Sequence, residues 1–191
     1  MLLAIDPGTN FCGVTFCSQN NGILQVHHSE LINVSYNPKT DQEKLITNKY
    51  GLRFLKIERI ITKLQSIIQA YSISAIAIEG PFYSALRPQA HSALVEVVYA
   101  IKSNIAYPLD IPMTIVEPLL VKKHFALKHM AKKEEMLTAL HTRIANSTVT
   151  PLISIDTLSE HEIDAIAIAY TYYAIQQEIN NATPLTTTKK L

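Results

Sequence analysis

Four side chains in this sequence are of the types that hold divalent cations or move protons, and each stands where a buried element is expected to end or begin. Asp6 closes the apolar run Leu2-Leu3-Ala4-Ile5, and Glu79 closes a second, Ala75-Ile76-Ala77-Ile78. His161 and Asp164 lie three apart in Ser159-Glu160-His161-Glu162-Ile163-Asp164-Ala165-Ile166-Ala167-Ile168-Ala169, which puts them on one face of a helix. A carboxylate at the rim of a core ionises at a cost unless it is compensated. Two such groups side by side also repel. A hard divalent cation such as Mg²⁺ relieves both penalties, because it prefers carboxylate oxygens. Plainer readings exist for each residue alone: Asp6-Pro7-Gly8 is ordinary turn chemistry, and a histidine near a helix start is commonly structural. The pair at matching strand ends is more specific than either member. Asp164 continues into the small apolar face Ala165, Ile168 and Ala169, so it is hard to explain as a solvated charge.

The elements that must position these groups can be read from periodicity. Leu2–Ile5 reads as a short buried strand. Phe11 to Cys17 and Ile23 to Val34 read as two more, joined by the hairpin turn Asn20-Asn21-Gly22, so the chain opens as a three-stranded antiparallel meander. Ser35 to Thr40 is expected to be an exposed loop. A helix is predicted over Tyr50 to Tyr71 from the stripe Leu52, Leu55, Ile60, Leu64, Ile67 and Ile68. The continuously apolar 74–78 segment after it suggests a central parallel strand. If that strand neighbours the first, Asp6 and Glu79 emerge at the same sheet edge. A helix from Pro88 to about Ile105, a strand at Met113–Val116, and helices over Val121–Leu127, Ala131–Asn146 and Glu160–Ile179 complete the reading. Ser159 and Glu162 fit a capping box, and Glu160 adds a favourable charge at the helix start.

Composition bounds the function. The chain has 191 residues, 48% hydrophobic and 17% charged, which suits one domain with a sizeable core and excludes a largely disordered protein. A net charge of +1 argues against a protein that coats nucleic acid non-specifically. Cys12 and Cys17 lie on one predicted strand and point to opposite faces, so a reduced, cytoplasmic protein is expected. No signal peptide and no bilayer-spanning stretch is evident, and no membrane partner is expected.

Three blocks, in order, carry a family resemblance. They are Leu3-Ala4-Ile5-Asp6-Pro7-Gly8-Thr9 with Gly13 and Val14, then Ile76-Ala77-Ile78-Glu79 with Phe82, then His161 through Ala169. Together they resemble the motifs of RuvC-family Holliday junction resolvases, in the ribonuclease H-like superfamily, over roughly residues 1–173. The family has two acidic positions three apart in the last block. Some members carry His at the first, and His161 with Asp164 fits that variant.

The resemblance implies an α/β, ribonuclease H-like fold. Its mixed five-stranded sheet has three antiparallel strands, then parallel strands, with helices on both faces. One nuclease domain would occupy 1–180, with 181–191 a disordered tail. The implied activity is Mg²⁺-dependent cleavage of four-way DNA junctions by paired symmetric nicks, with Mn²⁺ as a substitute metal. Two ions roughly 4 Å apart would flank the scissile phosphate. Asp6 would bridge the metals, with Glu79, His161 and Asp164 completing the shells. A histidine ligand must be neutral, and the helix dipole is expected to favour that form of His161.

DNA contacts are expected from Phe82, Tyr83 and Arg87 in the loop after Glu79, and from Lys122, Lys132 and Lys133. Five of the chain's seventeen Lys and Arg fall within 122–133. A solvated helix face is the plain reading of that run, and phosphate binding the functional one. Phe82 or Tyr83 could equally cover the core. Where the family has a glycine-containing turn, this chain has Ala126-Leu127-Lys128-His129-Met130. The family's dimer helix corresponds to 88–105, so a homodimer is expected. Nucleases of flaps or forks share the same chemistry and stay open. An actin-like or sugar-kinase-like domain shares Asp-x-Gly-Thr but needs two such domains.

Overall fold

The computed structural model describes residues 1–83, 85 and 88–182. Among these residues one sheet has six strands: β1 (Leu2–Asp6), β2 (Phe11–Asn20), β3 (Ile23–Asn33), β4 (Ala75–Glu79), β5 (Met113–Val116) and β6 (Val149–Pro151), in the order β5-β4-β1-β2-β3-β6. The meander β1-β2-β3 is antiparallel, and β4, β5 and β6 join parallel to their neighbours. Asn21 and Gly22 both have positive φ (49° and 80°), the two-residue turn whose twist suits a hairpin. The sixth strand corrects the expected five. Val149-Thr150-Pro151 is three residues long and ends in proline, so it carries no alternating signal and exists only through its pairing with β3 at the edge.

Alternation along β1 splits the core. Leu3 and Ile5 pack with Ile60, Leu64, Val97 and Ile101 on one face, from helices α2 (Leu52–Ile68) and α3 (Pro88–Ile101). Leu2 and Ala4 pack on the other with Val121, Phe125, Met136, Leu140 and Ile166, from α4 (Pro118–Ala126), α5 (Lys133–Ala145) and α6 (Glu160–Ala182). Cys12 belongs to the first cluster and Cys17 to the second, both as free thiols on opposite faces.

Helix boundaries differ from the sequence reading in three places. The helix expected over Tyr50–Tyr71 is α2, and an unanticipated helix, α1 (Asp41–Tyr50), precedes it, separated by Gly51 at φ +89°, a conformation that favours glycine. Helix α1 buries no residue, so it leaves no apolar stripe to detect. Its start is a capping box in which Glu43 N–H donates to Thr40 Oγ1 (3.1 Å) and Thr40 N–H to Glu43 Oε2 (3.3 Å). The helix from Pro88 is α-helical only to Ile101 and continues as a wide π-type turn over Lys102–Ala106. Helix α6 runs on through Asn181 and Ala182, so those two residues are helical; the rest of the expected tail, 183–191, lies outside the described residues, as does Arg87. No helix among the described residues is long and apolar enough to cross a membrane.

Helix α6 sits on β2 with almost no clearance. A Cβ built on Gly13 would lie 2.0 Å from the His161 carbonyl oxygen and 3.0 Å from the Glu162 nitrogen. Backbone atoms on both sides leave nothing flexible to yield. Gly13→Ala is therefore expected to destabilise the fold by about 3 kcal/mol, the upper end for overpacking, read by chemical denaturation. An alanine variant as stable as the parent would show that α6 does not need this contact.

Candidate active site

Two parallel strands in register deliver the first two carboxylates. Ile5 of β1 pairs with Ile78 of β4, so the next residues, Asp6 and Glu79, leave the sheet side by side. The antiparallel partner of Asp6 is Gly13, on which the first turn of α6 rests. That contact brings His161 to Asp6, with Nδ1 to Oδ2 at 2.7 Å. Asp164, one turn further along α6, lies close enough for its charge to act on Glu79. The expected capping box fixes where this helix begins. Ser159 N–H and Oγ–H donate to Glu162 Oε2 (2.9 and 2.7 Å), and Glu162 N–H donates back to Ser159 Oγ (3.4 Å). Asp6, Glu79, His161 and Asp164 thus meet at one sheet edge.

Electrostatics at this edge are unfavourable without a counter-charge. Burial pushes Glu79 up to about 8, helped by the charges of Asp6 and Asp164 and opposed by Lys122. Asp164 is pushed up to about 6, again by burial first and by Asp6 second. Asp6, only 9% exposed, is raised by burial against the pull of His161. The expectation for His161 is reversed. Its hydrogen bond to Asp6 raises its pKa above the usual histidine value, outweighing burial. The same bond orients the ring. In the neutral ring with its proton on Nδ1, donated to Asp6, Nε2 keeps its lone pair.

The donor set is three carboxylates and one imidazole, which suits a hard divalent cation. Among the described residues, no three His, Cys, Asp or Glu side chains already converge as a metal cage. The raised carboxylates are the observation that fits a metal, since a bound cation would remove their mutual repulsion.

The other expected residues divide. Phe82 and Tyr83 are exposed, so neither covers the core. Phe82 lines a cleft with Glu79, Lys122 and Asp164, while Tyr83 makes an edge contact with His91 at the start of α3 (5.6 Å). Lys122, on α4, lowers the pKa of both Glu79 and Asp164 by its charge. Lys133 opens α5 and is ion-paired with Glu160 of α6. Lys132 precedes it, its backbone N–H donating to Glu135 Oε2 (2.6 Å).

Two neighbours of the site were not anticipated from the sequence. Phe11 stacks on His161 (5.8 Å between centroids, 18° between planes), and Glu160 reaches Nε2 of His161 at 3.8 Å. Phe11 lies two residues before Gly13 on the same strand, so strand alternation was the signal that could have placed it on the α6 side.

No family model matches the chain. In sequence it is 26% identical over 176 residues to the crossover junction endodeoxyribonuclease RuvC of Bacteroides fragilis, covering 91% of this chain and 81% of that protein. In structure it is similar to Thermus thermophilus RuvC in complex with a Holliday junction substrate (TM-score 0.68, 20% identity, 96% of this chain and 98% of the other). It is also similar to the yeast mitochondrial Holliday junction resolvase (TM-score 0.61, 15% identity, 94% and 82%).

In metal-free protein the raised carboxylates make stability fall with pH. Unfolded Asp and Glu lose their protons near pH 4, whereas folded Glu79 keeps its proton to about 8 and Asp164 to about 6. The native state therefore holds more protons across this window, and unfolding free energy declines from about pH 4 to pH 8. His161, raised above its unfolded value, acts in the same direction. Thermal unfolding in chelator should give a lower midpoint at pH 8 than at pH 5. Glu79→Gln should flatten the decline and Mg²⁺ should restore the midpoint at pH 8. A midpoint that rises over this range would exclude the electrostatic account.

Proposed function

We propose, on the premise that this chain groups with the RuvC family of the ribonuclease H-like superfamily, that it is a metal-dependent endodeoxyribonuclease that resolves four-way DNA junctions by paired symmetric nicks. One observation carries the proposal: Asp6, Glu79, Asp164 and His161 meet at one sheet edge with their carboxylates destabilised as anions. The relatives named above, resolvases and a junction complex among them, support four-way DNA as the substrate. The nuclease domain, expected over residues 1–180, is assigned to residues 1–182 so as to include the whole of α6.

Asp6, Glu79, Asp164 and Nε2 of His161 are assigned as the ligands of two Mg²⁺ ions, with Mn²⁺ able to replace them. Bound there, divalent ions neutralise charge and polarise water and phosphate oxygens. The chain's own residues do the rest. His161 is held by its bond to Asp6 and its stack on Phe11. Lys122, Lys132 and Lys133 are assigned to the DNA backbone, and Phe82 and Tyr83 to unpaired bases. A homodimer would supply the second active site for the second nick. Helix α3 supports it, because its outer face leaves Val95 and Tyr99 exposed, Tyr99 at 69%.

Labelled four-way junctions, flaps, forks and linear duplex, each with Mg²⁺ or Mn²⁺, test the reading. Paired symmetric nicks in the junction alone are expected; cutting confined to flaps or forks would move the assignment to those substrates. Asp6→Asn, Glu79→Gln and Asp164→Asn should each lower the nicking rate at least about a hundredfold, since even outer-shell partners of metals cost 10–100-fold. Glu79→Gln should do so while gaining stability at pH 8, which separates loss of chemistry from loss of fold. Lys122→Ala and Lys133→Ala should each weaken junction binding and reduce the slope of log affinity against log salt by about 1. An unchanged slope would remove these lysines from the interface.

A further inference from the structure

We propose that the Glu160 carboxylate occupies a binding site for one phosphate of the DNA strand, between Lys133 and His161, and that a phosphodiester takes its place when DNA binds. The inference rests on the nuclease reading and adds to it an anion position and a residue that competes for it. Glu160 is the first residue of α6 and spans two groups. Its Oε2 is ion-paired with Lys133, the first residue of α5. Its Oε1 faces Nε2 of His161 at 3.8 Å. Nε2 is the ring nitrogen that is not bonded to Asp6. One carboxylate therefore links a cation assigned to the DNA backbone with the imidazole atom assigned to metal. Lys128 is also paired, with Glu135, but that carboxylate serves the start of α5, where it accepts from the Lys132 N–H (2.6 Å). The contacts of Glu160 lead instead to the site.

Charge and chemistry select the occupant. A carboxylate and a phosphodiester each carry one negative charge and offer two unsubstituted oxygens as acceptors. A lysine ammonium pairs with either, so exchange at Lys133 replaces one anion by another of equal charge. The pair is open to that exchange, since the Lys133 and Glu160 side chains are 76% and 42% exposed. A cleft of about 250 Å³ is lined by Lys133, Glu160 and Asp164 together, so the position is continuous with the carboxylate cluster. A phosphate held there lies beside His161 and Asp164, the two α6 members of the proposed metal site. In DNA-free protein the same position is filled by Glu160. DNA that uses Lys133 must first displace that carboxylate, and Glu160 thereby lowers the affinity of the chain for DNA.

The test is binding in chelator, so it does not depend on cleavage. A four-way junction is titrated with the full chain and with Glu160→Gln, Lys133→Ala and the double variant. Glu160→Gln keeps the outline of the side chain and removes its charge. It should tighten junction binding by about fivefold, the upper range for an exposed ion pair. A damaged fold weakens binding, so a gain cannot come from misfolding. In the Lys133→Ala background the same change should alter affinity by less than about twofold, within ordinary additivity. No gain from Glu160→Gln overturns the phosphate site. An equal gain in both backgrounds also overturns it, because Glu160 would then act by plain repulsion of DNA. If the parent chain cuts junctions with Mg²⁺ but Glu160→Gln brings no gain, the phosphate site fails and the nuclease reading stands. If the gain depends on Lys133 but no branched DNA is cut with Mg²⁺ or Mn²⁺, the nuclease reading fails and the phosphate site stands.

Discussion

The site depends on how closely α6 lies on β2. At Gly13 the sheet presents bare backbone, and the carbonyl of His161 occupies the space a side chain would take. Because Gly13 is also the register partner of Asp6, the contact that seats the helix sets the 2.7 Å bond between His161 and Asp6. The Ser159–Glu162 cap fixes where the helix starts and so which residue meets the sheet. Ala165 and Ala169, one turn apart and both fully buried, keep the helix close further along. A longer side chain on this seam would lift α6 and carry His161 and Asp164 away from the strand carboxylates together. Positioning is therefore achieved by small residues and backbone, with the functional groups placed at the end of the seam.

That placement works against the fold's own electrostatics. Three carboxylates share a half-buried edge, and the groups that oppose their repulsion are His161, through its bond to Asp6, and Lys122, which acts on Glu79 and Asp164 at a distance. Two apolar clusters, one on each face of the sheet, supply the stability that tolerates this conflict. Local rules are commonly broken where function resides, and here the break is specific. Each carboxyl holds its proton to higher pH than an unburied one would, a penalty on the anion that a bound cation would relieve. The imidazole repeats the conflict, since its bond to Asp6 both orients it and favours the protonated form that a metal ligand must lose.

What could be read from the sequence followed from interactions local in the chain. Asn21-Gly22 specifies its turn through backbone geometry alone, and Ala75–Ile78 announces a doubly covered strand by having no polar face. The Ser159–Glu162 box marks a helix start within four residues. Features created by long-range pairing were not legible. Strand β6 is three residues that pair only because β3 passes beside them. Helix α1 turns no apolar face inward and is held by Arg59, which donates to Glu43 Oε1 (2.9 Å) and to the Tyr36 carbonyl (2.8 Å). The raised pKa of His161 depends on a partner 155 residues away, which no helix-dipole argument made on α6 alone could weigh.

The lysine run shows why formal charge describes this surface poorly. Lys128 is paired with Glu135, and Lys133 with Glu160, so two of the five cations in 122–133 already face carboxylates. Exposed ion pairs of this kind contribute little to stability, and a phosphate can displace the glutamate at small cost. Lys133 is the more consequential of the two, because its partner precedes His161 on α6 and also reaches the ring of that histidine. A phosphate exchanging for Glu160 at Lys133 arrives one residue from the site. A net charge of +1 is thus compatible with a DNA enzyme. On the proposed reading, Lys122 and Lys133 lie beside an acidic centre that divalent ions would neutralise.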